Sequence, residues 1–179
     1  MWGIDMFSAK LYRPMTPSGG AFLVCVGALL LAGSMHIAQL GYFLMAGFAA
    51  GIAAMIVTII VCIRLRLQRP SVFQRMIFLP IISLEIAAML IVQQFLPQDV
   101  RTIWIAALIV TGLHFLPMYW SFGWLIFGLG MACTIAAIAG GLLGLSLSTI
   151  VAIDGALKMA FGLAMFSGLF GGRLARPAA

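Results

Sequence analysis

The chain has 179 residues, of which 64% are hydrophobic and 8% charged, with a formal net charge of +6. Soluble domains average about half apolar and a quarter charged, so this composition excludes an ordinary soluble domain and makes a bilayer the solvent. Nine of the ten Lys and Arg residues, all but Lys158, stand at the ends of apolar segments, where topology signals lie, so the basic balance argues for no nucleic-acid partner.

Residues 1–19 read as an N-terminal cytoplasmic or interfacial arm. Trp2, Ile4, Met6, Phe7 and Leu11 suit an amphipathic turn or two on the membrane surface. Lys10 and Arg13, an apolar run and Ala32-Gly33-Ser34 imitate a secretory signal. The apolar run continues past that point, so the segment reads as an uncleaved first helix.

Apolar periodicity then predicts spans at 20–43, 45–65, 72–96, 102–118, 122–144 and 147–172, and a C-terminal cytoplasmic tail at 173–179. All are read as helices, because in lipid only helices and closed barrels satisfy the backbone polar groups, and no segment alternates like a barrel strand. Gly41 to Gly47 is the expected turn between the first two. Pro80 predicts a kink in the third, and Pro117 ends the fourth. Cys25, Cys62 and Cys133 stand alone in separate segments and read as small buried apolar residues.

The fold class is therefore all-α, an integral membrane bundle of six transmembrane helices. Eight of the basic residues, Lys10, Arg13, Arg64, Arg66, Arg69, Arg75, Arg173 and Arg176, fall on one side of such a bundle. Arg101, beside Asp99, falls on the other. The positive-inside rule makes both termini cytoplasmic. Tyr119, Trp120 and Trp124 suit the cytoplasmic interface.

Two series of small residues recur at every fourth position. Gly128, Ala132, Ala136, Gly140 and Gly144 mark the fifth span; Ala152, Ala156, Ala160, Ala164, Gly168 and Gly172 mark the sixth. Small ridges let helices approach closely in lipid. They are read as helix-packing faces within the bundle, with a homodimer or a membrane-protein partner left open.

The polar residues inside the spans are the candidate site. Glu85 lies near the centre of the third span and Lys158 near the centre of the sixth, with Asp154 four residues before it. A charge at the bilayer centre costs about 2.5–3.5 kcal/mol, so these groups are expected to cluster. Such a cluster either fixes helix register or forms a proton relay or the polar floor of a cavity. Thr111 and His114 share a face of the fourth helix with Trp104. His36 and His114 are expected on opposite sides of the midplane, which excludes paired ligation of one haem. No cofactor and no metal is indicated. The chain has no HExxH, GxSxG, P-loop or CxxC motif.

The stretch Gly112-Leu113-His114-Phe115-Leu116-Pro117-Met118-Tyr119-Trp120 resembles the G-x-H-F-x-P-x-x-W signature of a family of small six-span bacterial integral membrane proteins of unknown function. The resemblance implies a six-helix inner-membrane protein and directs attention to His114. It implies no activity.

The leading functional expectation is small-solute or proton-coupled transport using Glu85, Lys158, Asp154, His114 and Thr111. One alternative is a non-catalytic scaffold or accessory subunit that binds through its small-residue faces. The other is a lipid-acting membrane enzyme with Glu85 and His114 as acid and base. Transport expects a water-accessible polar cavity reaching Glu85; a scaffold expects a dry core and a flat, small-residue outer face; an enzyme expects a lateral opening with both groups near one reacting atom.

Overall fold

The computed structural model describes residues 16–64, 72–95 and 99–171. Residues 1–15 of the expected N-terminal arm, the C-terminal tail, and Arg66 and Arg69 of the basic loop lie outside them, while residues 16–19 belong to the first helix. Seven helices and no strand are present among the described residues.

Helix α1 (Thr16–Ser34) starts four residues before the expected span, with Pro17 in its first turn, where a missing N–H is harmless. It ends where Ser34 Oγ donates to the Leu31 carbonyl at 2.7 Å. A 3-10 turn (Ile37–Gln39) leads into α2 (Leu40–Arg64). The turn therefore falls earlier than Gly41 to Gly47, which lie inside α2. The polar run Ser34, His36, Gln39 explains the shift: it takes the bend, while Gly33 lets Leu40 and Phe43 close over the chain. Gly47 and Gly51 serve packing instead, against Val26 and Phe22 of α1.

Helix α3 (Val72–Phe95) continues through Pro80, which is exposed. Helix α4 (Val100–Phe115) is capped by Asp99, whose Oδ2 accepts from the Thr102 N–H at 2.9 Å and the Thr102 hydroxyl at 2.7 Å. The Thr102 hydroxyl, then its N–H, holds the Asp99 carboxyl below its usual range. A depressed folded value means that the cap stabilises above the ordinary carboxylate range and is lost as pH falls through the depressed one. Asp99→Ala is therefore expected to raise hydrogen exchange at the Thr102 and Ile103 amides at neutral pH. The two proteins should converge in acid. Equal protection at neutral pH would remove the cap from the account of this helix.

Pro117 has no N–H to donate back along the helix, so α4 stops at Phe115 rather than 118, with Leu116 still in helical conformation as its cap. The short α5 (Tyr119–Phe122) follows, and Gly123, at φ 86°, restarts the chain as α6 (Trp124–Leu142). Gly144, at φ 70°, precedes α7 (Leu147–Gly171).

Four segments are long and apolar enough to cross a membrane: Pro17–Ser34, Ile37–Arg64, Trp124–Leu142 and Leu147–Ser167. Pro80–Phe95 and Val100–Phe115 are apolar but shorter. Large apolar side chains such as Val57, Leu84, Leu90 and Ile135 face outward, more than half exposed, as lipid-facing residues do.

Helix α1 is the centre of the packing. It lies against α7 and α2, while α4 lies on α6 and α3 on α4 and α5. The α1–α7 seam is a pair of glycine contacts. A Cβ on Gly20 would meet the Gly162 carbonyl at 2.6 Å, and one on Gly27 the Gly155 carbonyl at 2.7 Å. The pairing of rising with falling numbers makes the helices antiparallel. The same holds for α4 and α6, where Gly112 lies against Thr134 and Gly141 near Ile105.

The two small-residue series separate. Gly128 faces Phe161 and Gly140 faces Ile150, so that edge of α6 packs on α7, with Ala132 and Ala136 half-buried. Ala156, Ala160 and Ala164 are exposed and make no seam among the described residues; the surroundings of Gly168 lie outside those described. The reason is rotational. Gly155 and Gly162 share a face with Asp154 and Lys158, and burying two charges turns that face inward.

A polar site at the end of an apolar cavity

Asp154 and Lys158 are one turn apart on α7, so their side chains meet. They form an ion pair at 2% exposure each. The Lys158 ammonium lies 5.9 Å from the centre of the Phe115 ring. Cys133 of α6, fully buried, turns its thiol toward Asp154, whose Oδ1 has no hydrogen-bond partner.

Glu85 comes from α3 and is 8% exposed. Its nearest ionisable neighbour is His114, with Oε1 at 3.2 Å from Nδ1. The approach is off the line of a hydrogen bond, so this buried ring nitrogen keeps no formed bond. Thr111, one turn before His114 on α4, directs its hydroxyl at the Glu85 carboxylate. The expected trio of Glu85, Lys158 and Asp154 is thus arranged as two pairs, Asp154 with Lys158 and Glu85 with His114, with Lys158 in electrostatic reach of Glu85. His36 is elsewhere: exposed in the α1–α2 turn, it stacks on Phe43 at 5.9 Å between ring centres.

Glu85, Thr111, His114 and Lys158 all line one cavity of about 760 Å³. The rest of its wall is apolar, built by Phe22, Phe48, Met89, Trp104 and their neighbours on α1 to α4. Phe22 and Phe48 meet edge to face at 5.6 Å. Gln93, on the Glu85 face of α3, also lines it and is exposed. Helices α2 and α3 supply facing walls but form no packed seam with each other. The cavity therefore lies where two neighbouring helices stand apart. Its volume falls among those of small-molecule pockets, about 300–1,000 Å³, and its mixture of apolar walls with a few convergent polar groups is theirs too.

The nine-residue stretch around His114 acquires a physical account. Gly112 admits the backbone of Thr134 and Gly130 from α6. His114 faces Glu85. Phe115, 3% exposed, joins the core and approaches Lys158. Pro117 ends the helix, and Trp120 belongs to an aromatic group with Tyr119, Trp124 and Phe127 at the turn. The apolar walls and the two seven-residue glycine spacings, Gly20 to Gly27 and Gly155 to Gly162, escaped the sequence reading. The spacings were a usable signal, being two turns on one helix face.

Apolar helices of spanning length around a buried polar cluster define a helical membrane protein. The chain belongs to the family of unknown function DUF6609, whose members' common sequence it matches over residues 11–169. No curated protein and no solved structure matches it.

Proposed function

We propose that the protein binds an amphipathic small molecule drawn sideways from the bilayer between α2 and α3, and holds its polar end at Glu85, Thr111 and His114. One observation carries this reading: a largely apolar cavity of about 760 Å³ has buried ionisable side chains in its wall. A path for a polar solute or a proton would need water along its length, and these walls offer water little. The cavity favours a molecule that is itself mostly hydrocarbon. Movement of that molecule across or along the membrane is the transport activity that fits.

The reading includes six spans in a bacterial inner membrane with both termini cytoplasmic. Its support is the antiparallel succession of packed helices and the eight basic residues that this arrangement puts on one side.

Native mass spectrometry of protein purified from membranes tests the pocket. The expected result is one retained amphiphile per chain. Ala107 lines the cavity, so Ala107→Phe should expel the molecule while leaving the melting temperature in detergent nearly unchanged. Equal retention by a folded Ala107→Phe protein would place the molecule elsewhere and refute the reading.

A further inference from the structure

We infer that the occupant of this cavity is a single-chain amphiphile whose head is uncharged and carries oxygen, a hydroxyl or a carbonyl. This rests on the pocket reading above and specifies its ligand.

The argument from size is simple. At about 30 Å³ for each water-sized group, 760 Å³ accommodates about 25 non-hydrogen atoms. One long chain with a compact head fills that space. A two-chain phospholipid could place only part of its hydrocarbon inside this volume.

The argument from charge is independent. The ionisable groups gathered here are Lys158, Asp154, Glu85 and His114. The first two cancel as an ion pair. Glu85 and His114, 3.2 Å apart, are neutral as a pair when one proton lies on either of them. The polar end is then balanced before any ligand arrives. An anionic or cationic head would bring an unmatched charge into a low-dielectric site, which is strongly disfavoured. A phosphate would meet only Lys158, and that ammonium is already committed to Asp154.

Hydrogen-bonding capacity points the same way. The His114 Nδ1 is buried and has no formed bond. The Thr111 hydroxyl can donate or accept, and the Glu85–His114 pair presents both a donor and an acceptor in either proton arrangement. A hydroxyl head can satisfy this donor–acceptor set, and a carbonyl can take its donors. An alkyl chain without a polar head leaves the His114 nitrogen unsatisfied.

The test measures binding of three probes of equal chain length to the full chain in detergent: hexadecanol, hexadecanoate and hexadecylammonium. Mass spectrometry or competition with a brominated analogue that quenches tryptophan fluorescence gives the affinities. Trp104 lies in the cavity wall and reports occupancy. The alcohol is expected to bind about tenfold or more tightly than either ion. Tighter binding of the carboxylate or the ammonium, or equal affinity for all three, overturns the uncharged-head inference and leaves the pocket reading standing. No saturable binding of any probe overturns both.

Discussion

Gly27→Leu is expected to prevent stable assembly of the bundle. A Cβ at Gly27 would lie 2.7 Å from the Gly155 carbonyl and 2.7 Å from the Met159 nitrogen. Both atoms are backbone within α7, so neither can swing aside as a side-chain end would. The helices would have to separate, and with them the longest seam in the molecule. Overpacking a core costs about 1–3 kcal/mol where side chains can adjust, and this site should exceed the upper figure. In lipid, close backbone approach is itself a main source of helix association, so the loss is not replaced by a hydrophobic term. The measurement is the melting temperature and monodispersity of the purified variant in detergent. Ala156→Leu, on the exposed face of α7, is the control and should melt with the unmodified protein. A Gly27→Leu protein that does the same would mean that α1 and α7 do not meet through these glycines.

The second large effect belongs to the charge pair. Lys158→Met should destabilise by about 3–5 kcal/mol, because it leaves the Asp154 carboxylate buried at 2% exposure without its ammonium. Asp154 already has one oxygen without a hydrogen-bond partner, so little nearby can replace the lost contact. The double variant Asp154→Leu with Lys158→Met removes both charges and should recover most of the loss. Thermal or denaturant unfolding of the three variants gives the coupling directly. Additive losses would mean that the two residues do not depend on each other. The comparison also separates this pair from Glu85 and His114. His114→Phe leaves the α7 pair intact, so its effect should fall on ligand retention more than on stability.

Much of the architecture was legible in the residues. Long apolar runs with most charges at their ends define membrane helices, because a bilayer core tolerates no unpaired backbone and few ions. The boundaries that were legible are those set by a backbone constraint, such as Pro117 ending α4. The α1–α2 turn was misplaced because Gly41 and Gly47 looked like a bend, whereas both lie within α2 and Gly47 is a packing contact. In a membrane helix glycine carries both meanings, and only the neighbouring helix distinguishes them. The small ridge of α7 was misread for a related reason. Ala156, Ala160 and Ala164 have the spacing of a packing face, but the charges on the other side compete for the interior, and the charges win.

The candidate site was legible as a set of residues and not as an arrangement. Composition and depth alone singled out Glu85, Thr111, His114, Asp154 and Lys158, since polar groups in hydrocarbon are costly enough to need partners. Which partner each one takes depends on the rotation of α3, α4 and α7 about their axes, and no local pattern encodes those rotations. The cavity depends on more still. Its walls are ordinary Phe, Met, Ile and Trp side chains whose types match any lipid-facing residue. They enclose a space because α2 leans on α1 and α3 leans on α4, leaving a gap between the two pairs. The sequence by itself determined the solvent, the helices and the cost of the buried charges, each of which follows from residue type and order. The tertiary structure decided the pairing, the glycine seam and the cavity, because those are properties of how helices turn toward one another.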